Sequence, residues 1–337
     1  MQAHVLLRYG KSNQVIAQQE RPEAPLGPGE VRVEVRAAGI NPVDLKTREG
    51  EPKMLLPFAP PFVLGVDLAG VIVEVGSQVR SLRVGDEVFA YTGMDRMGAF
   101  AERVVLEEGR VARAPTSLGS KEAACLPLPG LCALAALDAG GVERGSRVLI
   151  HGGLGGVGSV AVQLAHARGA EVFSTVSGAD AEQARQLGVD HPIDYRTQRF
   201  EDTVREVDFV FDTLGGDTLK RSWSLLRRGG ALASLHVPPP AEALVAAGLR
   251  ANLLLRLALP LVTRAPRAAA SRAGARLFPI LTKPDAAGLA ELARVADTAG
   301  LRLRIDRVFP FSELKNALDH VASGKARGRV VLGGFGG

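Results

Sequence analysis

The sequence predicts an α/β protein of two parts, a compact β-rich part first and a parallel sheet covered by helices after it. Three observations carry this. Between Glu30 and Arg113, short β-branched runs are punctuated by glycine and proline, as strands and turns require. Beyond Pro115, strand-like and helix-like segments alternate, the pattern of repeated βαβ units and hence of a parallel sheet. With 337 residues, 46% of them apolar, the chain is longer than one hydrophobic core commonly serves and can fill two.

The β-rich part reads as VRVEVRAAG, LAGVIVEVG, DEVFAYTG and AFAERVVL. Val31, Val33 and Val35 alternate with Arg32, Glu34 and Arg36, as a strand with one wet face needs. Gly70, Gly76 and Gly85 are expected at turns. Ser120 is placed to cap a long helix that crosses between the parts. VLIHG, EVFSTVSG, DFVFDTLGG and LASLHV follow as strands, with helices over VGSVAVQLAHARG, around Ala181 to Leu187 and after FDTLGG. Pro238 to Gly300 reads as several helices broken at Pro260, Pro266, Pro279 and Pro284. In the tail Ser312 is placed to cap a helix, and Arg329 to Leu332 form a last strand.

Composition excludes several classes. The two cysteines, Cys125 and Cys132, are too few for a disulfide framework and lack the His and Cys spacing of a structural zinc site. They suit a reducing cytoplasm. MQAHVLLRYG lacks the basic start and long apolar run of a signal peptide, so a cytoplasmic location is expected. The most lipid-like stretch, Leu249 to Thr263, is too short for a membrane span and is interrupted by Arg250, Asn252, Arg256 and Pro260, which suggests a surface or lid helix. The net charge of +5 arises from 41 basic and 36 acidic residues that are interspersed, without the basic stripe of a nucleic-acid binder.

The segment VLIHGGLGGVGSVAVQLA sets Gly153, Gly155 and Gly158 in a G-x-G-x-x-G array after a strand and at a helix start. Those flanks distinguish it from a common glycine turn: the first glycine allows the turn, the second lets backbone approach a pyrophosphate, and the third lets the helix pack on the strand. The N–H groups at Gly156, Val157 and Gly158 would face the phosphates. The end of the next strand holds Thr175, Val176 and Ser177, where an NAD enzyme usually has a carboxylate for the ribose. Ser177, Tyr195 and Arg196 could instead bond a 2′-phosphate, so NADP is expected. Asp180 is either a competing ribose ligand or a helix cap.

Taken together, AAGINPVDLKTREG, PFVLGVDLAGVIVEVG, VGDEVFAY, GAFAERVV, LPLPGLCALAAL, HGGLGGVGSVAVQLA, IDYR, FDTLGG and GKARGRVVL resemble the medium-chain dehydrogenase/reductase superfamily, in its zinc-free quinone oxidoreductase and enone reductase branch. The resemblance spans nearly the whole chain. It implies a GroES-like β domain over residues 1–122, completed by 306–337, and a Rossmann domain with a doubly wound parallel sheet over 123–305. Family habit implies a homodimer.

Zinc relatives place their catalytic ligands at positions that correspond here to Asn41, Val66 and roughly Leu128, which do not make a zinc site. Without a metal to polarise a carbonyl, quinones and α,β-unsaturated carbonyls, which already delocalise charge, become the expected acceptors. The resemblance places Asn41 beside nicotinamide and substrate and Lys46 at the cofactor, although the former could be a turn former before Pro42 and the latter a solvated helix residue. Water, or a side chain such as Lys46 or Tyr91, would supply the proton. It also assigns Tyr195 to the adenosine phosphate, and Leu214, Leu235 and His236 to the nicotinamide half, where His236 is either a proton donor or an ordinary loop histidine. Cys132 would be a small buried residue near the nicotinamide. The alternatives are a metal-free carbonyl or alcohol dehydrogenase, or a crystallin-like NADPH-binding protein with a role on RNA. Arg250, Arg256 and Arg264 are read as a solvated helix face, or else as a site for an acidic substrate or surface.

Overall fold

A computed structural model describes residues 1–335, and the chain folds into two compact units. The first comprises Met1–Leu131, Ala246–Arg250 and the chain from Lys283 onward; the second comprises Cys132–Val245 and Ala251–Thr282. The architecture is α/β: a GroES-like sheet domain and a Rossmann-like domain with a parallel sheet.

In the first unit the main sheet runs in the order Ile305–Pro310, Arg329–Gly333, Glu30–Ile40, Asp67–Val75, Glu87–Tyr91 and Val111–Arg113, with Arg103–Glu107 also paired to Glu30–Ile40. Val31, Val33 and Val35 of its central strand are fully buried while Arg32 and Glu34 are half-buried, so the alternation read from the sequence is the alternation of faces. Gly70, expected at a turn, instead lies inside a strand, opposite a register shift between Val35 and Ala37. A Cβ there would stand 2.1 Å from the Glu34 carbonyl oxygen, so glycine serves the close approach of two backbones.

The second unit holds a six-stranded parallel sheet in the order His191–Asp194, Glu171–Val176, Arg147–His151, Val207–Asp212, Leu226–Ser234 and Arg276–Pro279. Leu149, Phe173, Val210, Trp223 and Leu232 belong to its core. The order reverses direction at Arg147–His151, the strand that feeds the glycine array. In doubly wound sheets such a reversal leaves a crevice at the strand ends, where ligands bind.

Three helix boundaries differ from those expected. Ser120 lies inside the short helix Ser120–Ala123, whose N-cap is Gly119, and the helix that continues into the second unit is a separate one, Pro127–Gly140. Ser312 sits in a 3-10 turn, Phe311–Glu313, ahead of the helix Leu314–Ala322 and does not cap it. Pro260 and Pro266 do not break the chain but lie within a 21-residue helix, Leu253–Ala273. Asn252 caps that helix by accepting from the Leu255 N–H at 2.9 Å, and Gly274 ends it at φ +62°. Proline has a helix-compatible φ, and the burial of Leu259, Thr263 and Ala270 offsets the missing N–H groups. No helix among the described residues is long and apolar enough to cross a membrane.

Candidate functional site

The glycine turn joins the strand Arg147–His151 to the helix Gly158–Ala167. Its left-handed residue is Gly152, at φ +66°, one position ahead of the array, so the sharp bend belongs to Gly152. Gly153 is required by its neighbour: a Cβ would stand 2.0 Å from Ser174 Oγ, which itself donates to the Ile150 carbonyl at 2.6 Å. At Gly158 a Cβ would meet the Gly152 carbonyl oxygen at 2.2 Å. Gly155 is exposed, and its Cβ would meet only the same oxygen, at 3.1 Å. The N–H groups of Gly156, Val157 and Gly158 have no bonding partner among the described residues. Free donors at a helix start, on a turn closed to side chains, fit the pyrophosphate of a dinucleotide.

A buried polar set braces this turn and was missed by the sequence reading. His151, fully buried, lies with Nδ1 3.2 Å from Thr175 Oγ1 and Nε2 2.9 Å from Ser222 Oγ. Thr175 Oγ1 also accepts from the Gly152 N–H at 3.1 Å. Burial holds the imidazole pKa down to about 4, so it stays neutral at physiological pH. The only sequence signal was a histidine and a threonine near the ends of two mainly apolar strands.

At the ends of the two neighbouring strands the expected 2′-phosphate residues come together. Val176 pairs with Asp194, and the Tyr195 N–H donates to the Val176 carbonyl, which sets Tyr195 and Arg196 beside Ser177. Tyr195 is 59% exposed, and the Arg196 guanidinium lies 5.7 Å from its ring centroid. Asp180 occupies a cap position but its side chain makes no cap bond. The carboxylate at this corner is Asp194, overlooked in the sequence, which accepts from the Arg196 N–H at 3.1 Å and from Thr197 Oγ1 at 3.0 Å. The Arg196 N–H foremost holds its pKa below the ordinary range.

The third group gathers at the ends of Val207–Asp212 and Leu226–Ser234. Thr213 Oγ1 donates to the His151 carbonyl at 2.7 Å, and Leu214, 54% exposed, lies near Gly152. The Leu235 N–H donates to the Asp212 carbonyl at 3.1 Å. His236 is exposed and donates from Nε2 to the Thr213 carbonyl at 3.0 Å, so this nitrogen is engaged within the loop.

In the first unit Asn41 precedes the helix Pro42–Glu49 and is 1% exposed. Its amide is committed: Nδ2 donates to Asp67 Oδ2 at 2.9 Å, and Oδ1 accepts from Arg329 at 2.7 Å. The Leu128 N–H donates to the other Asp67 oxygen at 2.9 Å. Asn41 and Leu128 thus converge on Asp67, the neighbour of Val66, and neither Asp67 nor Arg329 was singled out in the sequence. Asp44 accepts from the Asn41 N–H at 2.8 Å. Burial pushes the Asp44 carboxyl up to about 8 and Asp67 up to about 7. Lys46 is exposed on the same helix. Tyr91, expected as a proton source, is 2% exposed on a strand whose backbone pairs it with Asp67.

Both cysteines are free and buried, and burial pushes their thiols up to about 11 at Cys125 and about 12 at Cys132. The positions expected to correspond to zinc ligands do not fit that metal: Asn41 has spent its amide oxygen on Arg329, Val66 is aliphatic, and Leu128 turns an N–H to Asp67. Among the described residues no group of three or more His, Cys, Asp or Glu could hold a metal ion.

Comparison with known proteins bears on this geometry. Residues 27–116 match the alcohol dehydrogenase GroES-like domain, and residues 187–332 match the zinc-binding dehydrogenase family. The chain is 32% identical to the mitochondrial NAD(P)H oxidoreductase RTN4IP1 of Mus musculus, over 98% of this chain and 89% of that protein. It is 39% identical to the 2-methylene-furan-3-one reductase of Solanum lycopersicum, over 63% of this chain and 56% of that one. The solved quinone oxidoreductase of Coxiella burnetii superposes with a TM-score of 0.81 at 30% identity, covering 99% of both chains. A turn built for a dinucleotide and these likenesses together mean that the chain belongs to the medium-chain dehydrogenase/reductase superfamily, as an NAD(P)H oxidoreductase.

Proposed function

We propose that the chain is a zinc-independent, NADPH-dependent reductase that passes hydride to a quinone or an α,β-unsaturated carbonyl. The observation that carries this reading is the content of the Asn41, Val66 and Leu128 positions: the Asn41 amide is bonded to the Asp67 carboxylate and the Arg329 guanidinium, Leu128 offers Asp67 a backbone N–H, and Val66 is aliphatic, so none is a metal ligand. An acceptor reduced there must delocalise the incoming charge itself, as a conjugated carbonyl or quinone does. The tomato 2-methylene-furan-3-one reductase and the Coxiella quinone oxidoreductase, to which the chain is similar, point the same way.

The bound nicotinamide supplies the hydride. The chain's own residues do the rest. The N–H groups of Gly156, Val157 and Gly158 hold the pyrophosphate, and Ser177, Tyr195 and Arg196 bond the 2′-phosphate. Leu214, Leu235 and His236 bound the nicotinamide half. Asn41 is a positioning residue, locked by Asp67 and Arg329, that fixes the helix carrying Lys46. Lys46 attracts the developing oxyanion and relays a solvent proton to it, which completes the two-electron reduction.

Steady-state oxidation of NADPH and NADH with a panel of quinones, linear enones and saturated aldehydes, before and after chelator dialysis, tests the proposal. Turnover with the conjugated acceptors, preferring NADPH and unchanged by dialysis, is the expected result. Turnover of saturated aldehydes alone, or loss of activity on dialysis restored by zinc, would overturn it.

A further inference from the structure

We propose that the helix Leu253–Ala273 docks on the surface of an anionic lipid bilayer. Leu253, Leu254, Leu257 and Leu261 are 71%, 73%, 63% and 72% exposed, although leucines on a folded surface are usually covered. Their placement is regular. At about 3.6 residues per turn they fall within one sector of the helix, opposite Leu259, Thr263 and Ala270, which face the body of the second unit. The helix therefore has two apolar faces, one spent on packing and one open.

The charges around the open face identify its occupant. From Ala243 to Pro284 the chain holds six arginines, one lysine and no carboxylate. Arg256, Arg264, Arg267 and Arg272 are all exposed on the helix itself. Arg256 and Arg267 lie along one flank of the leucines, where with Glu242, Pro260 and Thr263 they line a hollow of about 180 Å³. Exposed leucines flanked by arginines match the two terms of interfacial binding, apolar burial among acyl chains and attraction to anionic headgroups. A second copy laid on this face would bring arginines against arginines. A purely apolar ligand would give them no partner.

Flotation of the full chain with phosphatidylcholine vesicles, with and without phosphatidylserine, provides the test. Binding is expected only with phosphatidylserine, and it should weaken as salt rises. Replacing Leu253, Leu257 and Leu261 by serine, or Arg256, Arg264 and Arg267 by glutamine, should each lower vesicle affinity roughly a hundredfold, taking about 1 kcal/mol per residue near the surface. NAD(P)H oxidation and thermal unfolding should stay unchanged in both variants, because every replaced side chain is exposed. Absence of binding, equal binding to neutral vesicles, or wild-type binding by the leucine variant would overturn the proposal. So would a wild-type dimer in light scattering that the leucine variant converts to monomer, since a second copy would then cover the face.

Discussion

Adding one methyl group to the glycine turn should separate folding from cofactor binding, because the three glycines of the array are glycines for different reasons. In Gly158→Ala the new Cβ meets the Gly152 carbonyl oxygen at 2.2 Å and its carbon at 2.9 Å, both backbone, so the turn itself must move. Overpacking of this kind costs about 1–3 kcal/mol. In Gly155→Ala the only near atom is the Gly152 oxygen at 3.1 Å, and the residue is exposed, so stability should change by no more than about 0.5 kcal/mol. The same methyl would project where the pyrophosphate approaches the backbone. Losing one charge-assisted N–H bond there costs about 1.5–3 kcal/mol, a roughly 10- to 100-fold rise in Kd. Gly153→Ala clashes with Ser174 at 2.0 Å (Oγ) and 2.9 Å (Cβ), a side chain rather than backbone, so adding Ser174→Gly should recover part of the lost stability. Thermal unfolding and titration of NADPH fluorescence read the two quantities independently. Wild-type NADPH affinity in Gly155→Ala, or wild-type stability in Gly158→Ala, would refute the division of roles.

Other consequences follow from the buried charges and the strand ends. Measured above pH 7, where Asp67 is ionised, Arg329→Leu should lower the stability of the first unit by about 3–5 kcal/mol, since it strands the Asp67 carboxylate and Asn41 Oδ1, and Arg329→Leu with Asp67→Leu should recover much of it in denaturant unfolding. The two units should respond oppositely to pH. His151, at about 4 against its usual 6.5, refuses a proton that the unfolded chain accepts, so the second unit loses about 3 kcal/mol as pH falls from 6.5 to 4, and His151→Gln should remove that loss. Asp67, raised to about 7, keeps a proton that the unfolded chain has released, so the first unit loses stability as pH rises from about 4 to 7, with Asp44 extending the window to about 8. Hydrogen exchange corrected for its intrinsic pH dependence resolves the two. Arg196→Ala should weaken NADPH about tenfold and leave NADH unchanged, measured by calorimetry; equal losses would remove Arg196 from 2′-phosphate recognition.

What could be read in advance was what repeats or sits in one local pattern. The Val31, Val33 and Val35 alternation, the strand-to-helix setting of Gly153 to Gly158 and the βαβ succession are each set by neighbours in sequence, and the structure holds all three. Partnerships across the chain were not legible. Arg329 meets Asn41 and Asp67 only because the last strand pairs antiparallel with Glu30–Ile40, and nothing local to any of the three residues signals it. His151 passed as a strand residue because its bonds run to Thr175 and Ser222 on other segments. Asp194 was overshadowed by the adjoining Tyr195. Pro260 and Pro266 misled for a different reason: proline's local cost is real, but packing of Leu259, Thr263 and Ala270 outweighs it.

The central proposal is hydride delivery to a conjugated acceptor without a metal. Metal-stripped protein incubated with an enone and with NADPH deuterated at the transferred C4 position tests it most directly, read by NMR of the product. Deuterium at the β-carbon of a saturated ketone is the predicted result. Deuterium on the carbonyl carbon of an allylic alcohol, or no transfer until zinc is added, would contradict it.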